Sequence, residues 1–598
     1  MILMLLILVK FFYFYSKVNV QKNYIYTVIF STLSVSIFAI GLKLLSIRTG
    51  VEWWAVMYYT LSIVMLIDVV YYKHFNQLTT INLLKQIKHL STVGDSLAVL
   101  FDWSMLVLVI DLIIIPFLPE EAIRFITGGA SFRVVFLIFI IFILELLYFN
   151  KSKQVMKQDL VLYHGIDILD TIGIEAAQIK KEVDETELKN YIYKTDKHDK
   201  LYGAANGTNL IVIQVEALQN FLFQKDYHGV DVVPNLRKFA EDKNSFYFDN
   251  MFQIIGRGNT SDAEFATLTS LYPPRKAPVY MDFPDREYYS LPKAFKDLGY
   301  TTMIFHGNEK HYYNRNEMYP NLGFDKFFGK EDYKFETENK IGFGINDEDF
   351  LSQTFDYIIE EEKNGPVCAF IITLSSHTPF NLPDKFNSKV AGDEAEGTMV
   401  GRYLNSINYA DKALGMFFEK METSGLMERS TVVLYGDHFA ISAANTVDAS
   451  DMAELMDYVY GYSYDDMMNI PLVIRNKNFE HQVFQNTCSQ IDILPTLLNL
   501  YGIPKSKGVI FGSDLINRPK NNCMPSGYLE EGSFITNDAF IQMDRSGDIK
   551  DAIAFKKFTH VPIDANQYKD ELDKLLHEEK LSKYAILFNK ITHDRIGS

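Results

Sequence analysis

From Thr431 an apolar, β-branched run leads into Leu-Tyr-Gly-Asp437-His438-Phe-Ala-Ile-Ser442, which sets a carboxylate and an imidazole side by side where a strand stops. A hard oxygen donor next to a ring nitrogen at the carboxyl end of a strand suits a divalent metal ion. Two more strand ends add to the set. The run 210–215 delivers Glu216, and Gly256-Arg-Gly-Asn-Thr-Ser-Asp-Ala-Glu-Phe265 presents the Thr260 hydroxyl in a glycine-flanked loop. Glu216, Thr260, Asp437 and His438 offer three oxygens and one nitrogen, which fits Mn²⁺, or alternatively Mg²⁺, better than zinc. Coordination would lower the pKa of the threonine hydroxyl and make it a nucleophile. Ser261, Asp262 and Glu264 read as helix-entry residues, with Glu264 at capping-box spacing. Arg315 offers a planar fork for phosphate oxygens, and His306, His377 and His438 can donate to phosphate or hydroxyl oxygens.

The elements that must hold these residues are short. Apolar runs at 210–215, 301–305, 367–374, 431–434 and 471–474 alternate with amphipathic stretches at 291–298, 350–361 and 403–420. Such alternation predicts a mainly parallel sheet flanked by helices, with Glu216, His306 and Asp437 at its carboxyl edge. Residues 527–556 are expected to form a few closing antiparallel strands, and 569–595 a charged terminal helix.

The amino-terminal region differs in kind. Stretches 24–42, 53–72, 97–118 and 133–149 are each about long enough to cross a hydrocarbon layer of roughly 30 Å. A fifth, 1–15, is short and carries Lys10; without a charged n-region or a small-residue cleavage site it reads as a helix, not a signal peptide. Asp68, Asp111 and Glu145 fall inside these stretches, where an ionised carboxylate costs at least about 2.5 kcal/mol and so marks function by default. Asp68 and Glu145 lie near span ends and can reach headgroups, which leaves Asp111 as the stronger candidate. Lys151, Lys153 and Lys157 would favour an inside face for the end of the last span. Residues 151–208 read as amphipathic helices at the lipid surface or as a solvated linker.

At 598 residues the chain exceeds one hydrophobic core. A net charge of −17 argues against nucleic acid as partner. It leaves an anionic lipid open, because a metal and a few cations can reverse the potential inside a cleft. Cys368, Cys488 and Cys523 form no disulfide framework and no thiolate metal site.

In sequence order, Glu216, the Gly-Asn-Thr-Ser-Asp-Ala-Glu-Phe segment around Thr260, His306-Gly-Asn with Asn314-Arg315, Ser376-His377-x-Pro-Phe380 and Gly436-Asp-His438 resemble the lipoteichoic acid synthase family. That resemblance implies a multi-span α-helical membrane domain followed by an α/β sulfatase-like domain of alkaline-phosphatase type, with a small C-terminal α+β subdomain. The expected boundaries are 1–150 for about five membrane helices, 151–208 for the linker, 209–525 for the catalytic domain and 526–598 for the closing strands and helix. It also implies a multi-pass protein of the cell membrane with its catalytic domain outside. The implied activity moves glycerol phosphate from phosphatidylglycerol to a glycolipid or growing polyglycerolphosphate chain through a glycerophospho-threonine on Thr260, with His377 supplying a proton to the departing diacylglycerol.

His306, Asn308, Tyr313, Arg315, His377 and Ser442 match the family's substrate contacts. Asn308 and Tyr313 depart from the acidic residue and tryptophan found there in better-known members, which leaves the headgroup preference open. Two alternatives share the pattern: a primase that adds a single glycerophosphate, and a phosphoethanolamine transferase, against which the scarcity of cysteines counts. A true sulfatase needs a Cys/Ser-x-Pro-x-Arg motif that the Thr260 segment lacks. A polymer-binding protein without catalysis would have no need of the complete set.

Overall fold

The computed structural model describes residues 2–18, 24–49, 52–75, 77–81, 83, 101–119, 159–171, 173–276, 278–392, 395, 397–443, 449–544 and 546–597. They form two compact units: Met1–Glu175 with Asp544–Asp551, and Ala176–Met543 with Ala552–Ser598.

In the first unit, helices α1 (Ile2–Lys17), α2 (Tyr24–Thr49), α3 (Trp53–Phe75) and α4 (Leu160–Thr171) share an apolar core that includes Phe11, Phe14, Tyr58, Met65 and Leu108. Among the described residues, two segments are long and apolar enough to cross a membrane, Tyr24–Lys43 and Trp53–Lys73. Of the five expected crossings, 24–42 and 53–72 fall on these two segments. The first, 1–15, falls on α1, which has 16 residues. The described part of 97–118 is broken into Trp103–Leu108, Ile110–Ile114 and Ile115–Phe117, with Pro116 and a kink at Val109 interrupting a single helix. The expected span 133–149, with Glu145 and the lysines at 151, 153 and 157, lies outside the described residues.

Two carboxylates of this unit, the part-buried Asp111 and the buried Asp68, have cationic or imidazole partners, which offset the cost of burial. Lys10 Nζ lies 2.8 Å from Asp111 Oδ1, donates to Ser62 Oγ at 2.7 Å and sits over the Tyr58 ring. Asp68 accepts from the Thr79 amide at 2.9 Å and meets His164 Nε2 at 2.8 Å.

The second unit is built on a nine-stranded mixed sheet. Its strands are β1 (Asn209–Val215), β2 (Ser245–Phe252), β3 (Thr301–His306), β4 (Lys326–Phe328), β5 (Val367–Ile372), β6 (Ser430–Gly436), β7 (Asn469–Arg475), β8 (Gln482–Phe484) and β9 (Cys488–Ser489). The order across the sheet is β8-β2-β7-β6-β1-β5-β3-β4, with β9 also on β2. All neighbours run parallel except β7, which is antiparallel to both β2 and β6. Every residue of β1, β5 and β6 is buried, the continuous apolar pattern of strands covered on both faces. Helices α5 (Thr260–Thr269), α6 (Arg315–Leu322), α7 (Asp347–Glu362) and α8 (Met399–Thr423) follow strands or their loops.

Strands Asn522–Cys523, Phe534–Thr536, Ala539–Gln542 and Ile553–Lys556 make a separate antiparallel sheet, and Lys569–Leu587 is the terminal helix. Upstream of β1, Ile192–Lys194 pairs with Lys505–Val509, so this stretch of the expected linker is part of the globular unit. Cys368, Cys488 and Cys523 are free and buried.

Candidate functional site

Adjacent parallel strands bring the two carboxylates together. Val215 of β1 is the register partner of Gly436 of β6, so Glu216 and Asp437 leave the sheet side by side. A side chain cannot replace Gly436, because a Cβ there would lie 2.0 Å from the Leu218 carbonyl. The backbone of Glu216 is clamped by β5's exit: its amide donates to Thr373 Oγ1 at 3.0 Å and its carbonyl accepts from Ser376 Oγ at 2.6 Å. Asp437 Oδ1 accepts from the amides of Ala217 at 2.8 Å and His438 at 2.7 Å, which aims its other oxygen at Glu216 and His438.

Thr260 is the first residue of α5. Asn259 before it takes φ 43°, and Asp262 folds back to accept from the amides of Gly256 at 3.0 Å and Gly258 at 2.8 Å. That turn explains the glycine flanking: a Cβ on Gly258 would meet Asp262 Oδ1 at 2.6 Å. Burial pushes the Asp262 carboxyl up to about 7 against the pull of these amides. Asp262 is therefore a loop lock, and Glu264, expected to cap the helix, instead lies buried against Arg315 and Tyr319.

Thr260 Oγ1 thereby lies 3.2 Å from Glu216 Oε2 and 3.4 Å from His438 Nε2. His438 Nε2 is 3.6 Å from Glu216 Oε1 and 3.5 Å from Asp437 Oδ2. Its other nitrogen, Nδ1, meets the Phe439 carbonyl at 2.8 Å; a carbonyl only accepts, so Nδ1 carries a proton and Nε2 is the ring atom that faces the cluster. Burial, and the presence of Asp437, hold Glu216 well above the usual carboxylate range, and burial raises Asp437 too. A counter-charge beside the pair would offset the cost of ionising both.

Glu216, Asp437 and His438 are grouped as metal ligands would be, with their ligand atoms within 4.8 Å of one another. The fit to a cation is carried by Asp437 Oδ2, which is buried and has no hydrogen-bond partner among the described residues. A hard divalent ion supplies what that oxygen lacks, and the oxygen-rich donor set matches one.

Sequence reasoning missed three glutamines that hold this loop in place. Gln490 bridges the Asp437 carbonyl at 2.8 Å and the Ile254 amide at 2.6 Å, Gln253 accepts from Phe439 N at 2.7 Å, and Gln219 accepts from Ala440 N at 3.2 Å and Ile441 N at 3.3 Å. A signal was available for one of them, since Gln253 directly follows the strand that ends at Phe252.

The expected substrate residues sit at neighbouring strand ends. His306 closes β3 with Nδ1 3.3 Å from the Ile372 carbonyl, and burial together with Arg315 holds it well below the usual histidine range, so it is neutral. Arg315 opens α6, nearly fully buried, with its guanidinium 5.8 Å from the Tyr313 ring centre. His377 stacks edge-on to Phe343 at 4.8 Å, its Nδ1 2.6 Å from the Thr378 carbonyl. Asn308 is buried and accepts from the Glu309 amide at 2.8 Å. Ser442 is half-buried, and residues 444–448 lie outside the described residues.

The sheet order, the strand-end carboxylates and the helix-borne hydroxyl define a sulfatase-like protein, and residues 208–503 match the sulfatase family. Residues 1–167 match the lipoteichoic acid synthase N-terminal domain. Lipoteichoic acid synthase 2 from Bacillus subtilis (strain 168) is 30% identical over 531 residues, covering 84% of this chain and 80% of its own. The lipoteichoic acid synthase of Staphylococcus aureus (strain USA300) is 26% identical, covering 80% of this chain and 76% of its own. The crystal structure of the lipoteichoic acid synthase LtaP from Listeria monocytogenes superposes with a TM-score of 0.61 at 28% identity, over 68% of this chain and 98% of that one. The chain belongs to the lipoteichoic acid synthase family.

Proposed function

We propose that this protein transfers glycerol phosphate from phosphatidylglycerol to a glycolipid or a growing polyglycerolphosphate chain, with Thr260 as the nucleophile. The observation that carries the reading is the Thr260 hydroxyl at the start of a helix, 3.2 Å from Glu216 and 3.4 Å from His438, beside the unpartnered oxygen of Asp437. Family membership supports the substrate class. Glu216, Thr260, Asp437 and His438 would hold the metal, Mn²⁺ or alternatively Mg²⁺. When bound, it supplies positive charge that favours the ionised threonine oxygen and the phosphate beside it.

In the first step Thr260 Oγ1 forms a bond to phosphorus as the bond to the diacylglycerol oxygen breaks. That oxygen takes a proton, which we assign to His377, and a glycerophospho-threonine remains. A terminal hydroxyl of the acceptor then attacks phosphorus, passing its proton back to His377, and the bond to Thr260 breaks to release it as the ionised oxygen. Two in-line displacements retain configuration at phosphorus. Arg315 meets the phosphate oxygens, the Nε2 lone pair of neutral His306 accepts from a glycerol hydroxyl, and Asn308, Tyr313 and Ser442 contact the headgroup. We further propose a multi-pass amino-terminal unit in the cell membrane with the catalytic unit outside; the two apolar helices and the match of residues 1–167 support it.

Purified full-length protein with Mn²⁺, phosphatidylglycerol and glycolipid tests the reading when the lipid products are resolved by length. A ladder identifies a polymerase and a single new product a primase. Unchanged phosphatidylglycerol overturns both.

A further inference from the structure

Glu264 takes no part in the transfer described above, yet it is a fully buried carboxylate one turn along the nucleophile's own helix. Residues spaced by four lie on the same helical face, about 6 Å apart along the axis. The Glu264 side chain is 0% exposed and that of Arg315 2%. Glu264 Oε1 accepts from Arg315 Nη2 at 2.6 Å, and its Oε2 accepts from the Tyr319 hydroxyl at 2.7 Å. Both donors belong to α6, so a single carboxylate on α5 grips that helix at its first residue and again one turn further on.

The grip has an electrostatic reason. Burial works against the charge of Arg315, and the carboxylate of Glu264 more than reverses that effect, so the guanidinium stays charged. Nη1 reaches back to the Tyr312 carbonyl at 3.4 Å, while Nε is buried with no hydrogen-bond partner among the described residues. The arginine is thus held on one side with a donor left unsatisfied. A buried donor of this kind calls for an acceptor that is supplied from outside the protein.

We infer that Glu264 is a positioning residue, which fixes the Arg315 guanidinium relative to Thr260 so that phosphate meets cation and nucleophile in one rigid frame. The inference rests on the reading that Arg315 binds the substrate phosphate. A carboxylate is required there because both partners donate to it. Glutamine keeps the volume and one acceptor but loses the charge, and a tyrosine hydroxyl can turn to accept from its amide, so the fold has a way to survive the change.

The test uses full-length protein in detergent with Mn²⁺ and two readouts: binding of sn-glycerol 3-phosphate by calorimetry, and kcat and KM for diacylglycerol release from phosphatidylglycerol. Both are taken in wild type, Glu264→Gln, Arg315→Ala, the double variant and Tyr319→Phe. Glu264→Gln is expected to weaken glycerol phosphate binding and lower kcat/KM by about tenfold or more, whereas adding it to Arg315→Ala changes either by no more than about twofold. Tyr319→Phe, which keeps the Arg315 contact, stays within about threefold of wild type. Wild-type binding by Glu264→Gln, or an equal loss in both arginine backgrounds, overturns the inference. The binding arm decides it even where phosphatidylglycerol proves not to be the donor, so the two readings fail separately.

Discussion

Glu216 and Asp437 are the first residues beyond Val215 and Gly436, register partners on adjacent parallel strands, so carboxylates far apart in sequence emerge as neighbours. The sheet forces them together whether or not anything neutralises them. Both are buried, and Asp437 Oδ2 has no hydrogen-bond partner among the described residues. Stability is sacrificed at this point, which is the mark of a site kept for function.

The variant Asp437→Asn is expected to separate that cost from its use. The amide keeps Oδ1 for the Ala217 and His438 amides and removes one of two crowded negative charges. In excess chelator it should unfold at a higher temperature than wild type, by an amount equivalent to about 1–3 kcal/mol. Added Mn²⁺ should stabilise wild type and leave the variant unmoved. A variant that is less stable than wild type in chelator would contradict the electrostatic account.

Chelation should abolish diacylglycerol release, and Mn²⁺ should restore it better than zinc, because three of the four donors are oxygens. Mn²⁺ at about 100 times its dissociation constant should also stabilise the fold by about 2.7 kcal/mol. Full turnover in excess chelator would remove the metal from the mechanism.

Asp347, at the start of α7, receives the Leu374 and Ser375 amides of the loop that leads to His377, and burial pushes it from an ordinary 3.8 up to about 6. A carboxyl raised on folding holds its proton better when folded. The stability tied to its neutral form is complete below about pH 3.8 and is lost as pH rises through about 6. Asp347→Asn stays neutral, so its stability relative to wild type should improve between pH 4 and 7, by up to about 3 kcal/mol. Urea midpoints for the two proteins across that range check the sign, and a difference independent of pH would refute it.

A fragment that starts near residue 176 should be more stable than one that starts at 209. The shorter piece loses the strand Ile192–Lys194 from its pairing with Lys505–Val509, the fully buried Leu188, and the bond of Tyr584 to Glu185 at 2.9 Å. Losing one buried leucine alone costs about 2–5 kcal/mol. Equal denaturation midpoints for the two fragments would count against this contribution.

The strand ends were legible at Glu216, His306 and Asp437 because each sits where an apolar run stops, and period-independent apolarity marks strands buried on both faces. The antiparallel β7 was not legible: Asn469–Arg475 looks like any other covered strand, and its direction is decided by how the chain returns across the sheet. Glu264 followed the spacing of a capping box, but local spacing says nothing about an arginine that tertiary packing brings to it. In the amino-terminal unit, hydropathy found the two long helices. It could not anticipate that 103–117 breaks into short turns or that Lys10 lies against Asp111.

The account stands on Thr260 as the covalent carrier of glycerol phosphate. Wild-type protein, Mn²⁺ and phosphatidylglycerol without acceptor should yield a peptide bearing a glycerophosphate adduct, located on Thr260 by tandem mass spectrometry and absent from a folded Thr260→Ala variant whose turnover has fallen by several orders of magnitude. An adduct on Ser261, or normal turnover in that folded variant, would contradict the account.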